Sequence, residues 1–280
     1  MTSSAAIAPT RKLVNGASIP QLGLGTWPMS NAEAEVAIAQ AIEVGYRLVD
    51  TAYKYGNEQG VGRGLRASGV PREDLFVTSK LNGEWHGVRE AQEAFEQSAE
   101  RLGVDYIDLF LIHWPMPWQD RYVEAFEGLT KLLADGRVRA IGLSNFKPAH
   151  IDRILAATGV TPDVNQVELN PRVTRDGVRA YDREHGIVTQ SWGPIGQGTD
   201  LLTHPTIIEI AQRYDRTPAQ VVLRWHLELG SIPIPKTSSP GRMRSNIEVF
   251  DFRLTESEVA ALSALDQGEE AATDSDTTGH

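Results

Sequence analysis

Four residues of this 280-residue chain have side chains that could move a proton if they met: Asp50, Tyr55, Lys80 and His113. A free phenol titrates near pKa ~10 and is a poor proton donor at neutral pH. A neighbouring ammonium favours the phenolate and lowers that pKa. Asp50 would keep Lys80 charged and oriented. His113 could donate a hydrogen bond to a carbonyl oxygen as negative charge builds there. Such a group would protonate an alkoxide as it forms, and it needs a hydride source rather than a metal. Taken singly, each residue has a plain structural alternative. Asp50 could cap a turn, Tyr55 could lie on the surface, and Lys80 could pair with Asp50 for structure alone. A lone histidine such as His113 is usually a satisfied strand-end residue.

Whether these four residues meet depends on the strands and turns that carry them. In Tyr46–Glu58, YRLVDTAYKYGNE, apolar Leu48 and Val49 suit a buried strand that ends at Asp50. A turn carries Tyr55, and Asn57 is placed to cap the next helix. Upstream, Asn15-Gly16 suits a tight hairpin over Arg11–Pro20. Leu22–Trp27 reads as a glycine-rich strand. Asn31–Val44 reads as a helix capped by Asn31, with Val36, Ala39 and Ile42 on its apolar stripe. From there strands and helices alternate to Leu265. Runs such as IDLFLI and VRAIGL suit parallel strands buried on both faces. With the strand at Leu22 the count is eight, which reads as one closed (β/α)8 TIM barrel whose bottom is capped by the N-terminal β-hairpin. A doubly wound sheet is the runner-up, but no G-x-G-x-x-G follows the first strand. In such barrels chemistry sits at the C-terminal strand ends. Those ends here carry Gly25-Thr26-Trp27, Asp50, Lys80, His113, Ser144-Asn145, Gln166, Trp192-Gly193 and Lys236-Thr237. This concentration of polar residues favours the catalytic alternative.

Composition sets outer limits. A net charge of −10 argues against a general nucleic-acid binder, which needs clustered cations. With no cysteine there is no disulfide framework, thiolate metal site or Cys nucleophile. No apolar run is long enough to span a bilayer, and the first residues lack a secretory pattern. The expectation is a soluble, cytoplasmic protein with residues 11–266 in the barrel. Residues 1–10 and the acidic, Thr-rich stretch 267–280 are expected to be disordered.

The chain resembles the aldo-keto reductases, in particular the short bacterial members of the 2,5-diketo-D-gluconate reductase kind. The resemblance is carried by Gly23–Trp27, Asp50-Thr51-Ala52 with Tyr55, Asn57-Glu58, Lys80, LIHWP at Leu111–Pro115, Gly142–Phe146, Asn165–Asn170 and IPK at Ile234–Lys236. It implies NADPH-dependent reduction of aldehydes, ketones or dicarbonyls, with Tyr55 as general acid, Lys80 and Asp50 tuning it, and His113 orienting the carbonyl. It also implies that Ser144, Asn145 and Gln166 bind the nicotinamide carboxamide and that Trp192 stacks on the nicotinamide ring. Gly25 and Thr26 would join the cofactor site. The loop Gly193 to Gln197, with Ile195 and Gly196, would pass the pyrophosphate. Lys236, Thr237, Ser238 and Arg242 would hold the 2′-phosphate, and Asn246 the adenine. Two cations with hydroxyls suit a dianion, and Arg can bind it bidentately. Ser245 departs from the family, where glutamate is usual. Most family members are monomers, and no metal is implied.

Trp27, Trp85, His86 and Trp114 would form an aromatic rim for a small carbonyl substrate, with His113 at its base. Trp118 reads as loop packing. The polar stretch after Leu265 suggests an open pocket. One other reading stays beside it, a cofactor-sensing protein on the same fold; a metal hydrolase is discounted, because the seven histidines are scattered.

Overall fold

The computed structural model describes residues 7–280. Strands β1 (Thr10–Lys12) and β2 (Ser18–Pro20) form the antiparallel hairpin. Its turn needs Gly16, which sits at φ 91°, where a side chain would be strained. Asn15 fastens the hairpin to the barrel by donating its backbone N–H (3.1 Å) and its Nδ2 (3.0 Å) to Asp163.

Eight parallel strands follow: β3 (Gly23–Gly25), β4 (Leu48–Asp50), β5 (Phe76–Leu81), β6 (Ile107–Ile112), β7 (Val138–Ser144), β8 (Val164–Glu168), β9 (Val188–Trp192) and β10 (Ile232–Pro233). Each pairs with the next in chain order. A parallel bridge between Gly25 and Lys236 sets the segment after β10 beside β3. Joining the first and last strands removes the edges that an open sheet would expose. The barrel is surrounded by α1 (Asn31–Val44), α2 (Glu58–Ala67), α3 (Val88–Leu102), α4 (Tyr122–Ala134), α5 (Pro148–Thr158), α6 (Asp176–Glu184), α7 (Pro205–Arg213), α8 (Pro218–Glu228), α9 (Pro240–Ile247) and α10 (Glu256–Ser263). The barrel read from the alternation is therefore the architecture found.

Period-two alternation along the strands sorts their residues. Val49, Val77, Phe110 and Ile141 pack outward with the helices. Leu48, Leu111, Val164 and Val188 pack together with Leu13 and Ile19 of the hairpin, forming a separate apolar plug. Two residues further along their strands, Leu48, Val164 and Val188 give way to Asp50, Gln166 and Gln190, all buried. The change from apolar to polar along the barrel is what creates a site at the C-terminal end.

Three local expectations need correction. Ser30, not Asn31, caps α1, because its side chain accepts from the Glu33 N–H and Glu33 reaches back to the Ser30 N–H. Val36 is 56% exposed, while Ala34, Ala37, Ile38, Ala41 and Ile42 form the buried face. The disorder expected for residues 1–10 falls outside the described residues only up to residue 6. Ala8 is buried, and Thr10 already belongs to β1.

The largest correction concerns 267–280, which is not a free tail. Arg175 holds Glu269 at 2.5 Å, and Thr273 donates its N–H and hydroxyl to Glu168, each at 2.9 Å. Lys147 bridges Asp274 (2.6 Å) and Asp276 (2.5 Å). Gly83 donates its N–H to the His280 carbonyl at 3.1 Å. The tail thus crosses the mouth from β8 towards β5, against strand order. Its acidic residues meet cations presented by the βα loops, which offsets the cost of ordering a polar segment.

Candidate active site

Lys80 is fully buried. Its ammonium lies 2.6 Å from Asp50 Oδ1, 3.0 Å from the Thr51 carbonyl and 3.3 Å from the Tyr55 hydroxyl. Burial alone would lower the Lys80 pKa, but Asp50 and Tyr55 hold it above its usual value. The ammonium therefore stays charged against the phenol.

Local sequence explains how Tyr55 reaches this point. After β4 the chain makes one tight helical turn over Tyr53–Tyr55 and reverses at Gly56, φ 66°. Asn57 then pins the loop. It donates to the Thr26 (3.1 Å) and Met29 (3.0 Å) carbonyls and accepts from Thr51 Oγ1 (2.7 Å). The side-chain cap expected of Asn57 is absent, because its amide is spent tying β3 to β4. Behind it, buried Glu58 accepts from Ser79 and from Arg101, both at 2.6 Å.

The Tyr55 pKa is raised, not lowered as the lysine alone implies. Desolvation is the larger effect, and Lys80 only opposes it. Tyr55 therefore holds its proton at neutral pH. The His113 ring meets Tyr55 edge to face, with centroids 5.6 Å apart. Burial, then Lys80, drives the His113 pKa well below its ordinary value, so the imidazole is neutral and donates from one nitrogen only.

A second cluster borders the first. Gln166 Nε2 donates across the barrel to Asp50 Oδ2 at 2.8 Å. Ser144 donates to the Gln166 carbonyl at 2.9 Å. Asn145, at φ 66°, donates to the His113 carbonyl (3.0 Å) and the Ser144 hydroxyl (3.1 Å). Its Oδ1 accepts the Trp192 indole N–H at 2.8 Å, which fixes the plane of that ring. The loop after Trp192 has Gly193, Gly196 and Gln197 at positive φ, and Ile195 anchors it in the core. Beyond it, Arg242 Nε donates to the Thr237 hydroxyl at 3.0 Å, with Lys236 and Ser238 exposed beside them. Thr26 and Asn246 are buried.

The expected rim assembles only in part. Trp114 is 7% exposed and Trp27 is 55% exposed. Trp85 packs edge-on to Tyr53, 6.2 Å between centroids. His86 is fully buried and cannot serve as rim. Burial followed by the Arg121 charge pushes its pKa down to about 4. The pocket is not open either. His280 packs against His113 (4.7 Å) and Trp114 (6.0 Å). Gly279 fits there because a Cβ would come within 2.7 Å of Met116. Ending the chain after Ala272 is expected to raise kcat/KM for bulky aldehydes more than for small ones. Surface ion pairs contribute at most ~1 kcal/mol each, so Lys147→Ala should give a smaller effect of the same sign. Equal changes for both substrate sizes would count against a gating tail.

Sequence reasoning missed the tail contacts and Gln190, which accepts from Gln166 at 3.0 Å. The signal for Gln190 was present: an amide at an inward position of VTQSW, two residues before Trp192. For the tail, the ion pairs join residues 94 to 129 positions apart, and no local pattern announces them.

The Aldo/keto reductase family model matches residues 13–267. An aldo-keto reductase of Mycolicibacterium vanbaalenii is 50% identical, covering 96% of this chain and 95% of its own. The methylglyoxal reductase DkgA of Escherichia coli is 44% identical, covering 96% and 97%. Among solved structures, a mutant of Gox0644 in complex with NADPH matches with TM-score 0.92 and 40% identity, covering 98% and 99%. A Bombyx mori aldo-keto reductase in complex with NADP matches with TM-score 0.88 and 36% identity, covering 94% of each chain. With four ionisable groups converging at the mouth of a matching barrel, this chain belongs to the aldo-keto reductase family.

Proposed function

We propose that the protein reduces aldehydes and ketones to alcohols with NADPH, using Tyr55 as proton donor. The observation that carries this is the Asp50–Lys80–Tyr55 chain, 2.6 Å and 3.3 Å long in its two links, with neutral His113 alongside. NADPH supplies the hydride. The protein's part is to hold the carbonyl oxygen between Tyr55 and His113, both neutral donors, as charge develops on it. Tyr55 gives up its proton, and Lys80 stabilises the resulting phenolate. Asp50 keeps Lys80 in place. Water is limited by the tail and by Trp114.

The chain's own donors fit the cofactor. Gln166 Oε1 has no bonded donor among the described residues and is free to accept a carboxamide N–H. The fixed Trp192 ring offers a stacking face, and the positive-φ loop allows close backbone approach. Lys236, Thr237, Ser238 and Arg242 supply the 2′-phosphate site, and Asn246 the adenine contact. Arg242→Ala should raise KM for NADPH roughly 10-fold or more while leaving KM for NADH nearly unchanged, as expected for a lost charge-assisted contact. An equal rise with both cofactors would remove Arg242 from the phosphate site.

We take small dicarbonyls as the substrate class, because the similar DkgA is named a methylglyoxal reductase and the mouth here is narrowed by His280. No helix among the described residues is long and apolar enough to cross a membrane. A cytoplasmic monomer is the assembly we assign. The test of the function is NADPH oxidation with a panel of aldehydes, ketones and dicarbonyls in the presence of EDTA. Tight NADPH binding without turnover of any carbonyl would instead favour a cofactor sensor.

A further inference from the structure

We infer that Gln190 is a positioning residue that sets the amide orientation of Gln166 and so joins the nicotinamide site to the proton donor. Gln190 lies on β9, fully buried, with its Cα opposite Gln166 of β8. Its Oε1 accepts from Gln166 Nε2 at 3.0 Å, and the same Nε2 donates to Asp50 Oδ2 at 2.8 Å. A carboxylate accepts only, so Asp50 requires Nε2 to be the donor, and Gln190 turns its oxygen to that same Nε2. Turning the Gln166 amide over would set its oxygen against the Asp50 carboxylate, and against Gln190 Oε1 as well while Gln190 keeps its orientation. The two contacts therefore fix the amide, and Oε1 is left as the acceptor.

Asp50 alone is not enough to hold that orientation firmly. Its other oxygen is taken by Lys80, and one hydrogen bond permits the Gln166 amide to swing about it. Gln190 supplies the second point. It does so while leaving its own Nε2 buried and without a partner among the described residues. An orphaned buried donor is costly, so packing alone does not explain an amide here. Its value lies in the oxygen it turns towards Gln166. The outcome is a buried relay from Gln190 through Gln166, Asp50 and Lys80 to Tyr55.

The inference rests on Gln166 being a nicotinamide contact, and the test separates the two ideas. Affinity for NADPH and for 2′,5′-ADP, which lacks nicotinamide, is measured by calorimetry on the full chain. In Gln190→Met the Kd for NADPH should rise about 10-fold, the loss of roughly one good hydrogen bond. The Kd for 2′,5′-ADP should stay constant and kcat should fall. Gln190→Glu keeps the acceptor and should retain most of the NADPH affinity. If Gln190→Met does not fold, Gln190→Ala gives the same comparison. Unchanged NADPH affinity in a folded variant, equal weakening of both ligands, or equal loss in the Met and Glu variants would overturn the inference. Failure of the unaltered protein to bind NADPH would instead remove the functional reading beneath it.

Discussion

Tyr55→Phe is expected to lower kcat by about 10²–10⁴-fold, the range that a positioned general acid contributes. The phenol oxygen is the only part removed. The ring still packs edge-on to His113, and the Lys80–Asp50 pair stays intact. NADPH affinity should therefore be preserved, and steady-state rates together with cofactor titration check both halves. The pH profile carries further information. Because burial raises the Tyr55 pKa, the phenol stays protonated through neutral pH. Reduction by the unaltered protein should hold level through the neutral range and decline only in alkali, where the proton is lost. Oxidation of an alcohol needs the phenolate, so it should rise with pH across the same alkaline range. Loss of that opposition in Tyr55→Phe would tie both limbs to this residue.

The second large effect is expected from Lys80→Met. Asp50 and Lys80 are both buried and 2.6 Å apart. Removing the cation leaves a carboxylate whose one remaining side-chain donor among the described residues is Gln166. Breaking a buried pair on one side costs about 3–5 kcal/mol. Activity should collapse as well, since nothing remains to stabilise the Tyr55 phenolate. Denaturant unfolding and turnover together distinguish this variant from Tyr55→Phe, which should lose activity with little change in stability. A Lys80→Met protein as stable as the parent would mean that the pair is not the buried anchor described.

Much of this was legible in the sequence. The apolar runs, their alternation with helical segments, and the polar strand ends led to the barrel and to the four converging groups. Helix α1 has the bounds read from the sequence, Asn31–Val44. What escaped had physical causes. Whether a phenol's pKa rises or falls depends on burial against charge, and spacing reports only the charge. Asn57 reads as a cap, but three tertiary partners claim its side chain first. The tail is polar, so its ordering rests on partners such as Lys147, Glu168 and Arg175 that lie far away in the chain. Trp85 sits near the expected wall in sequence, yet turns towards Tyr53.

The most direct measurement uses NADPH deuterated at both C4 positions and an aldehyde, with the alcohol analysed by mass spectrometry. Direct hydride transfer at the site predicts one deuterium on the carbinol carbon from the unaltered protein. It predicts almost no product over the same time from Tyr55→Phe with NADPH still bound. Alcohol free of deuterium, or the same labelled yield from Tyr55→Phe, would contradict the assignment of this barrel mouth as the site where the carbonyl is reduced.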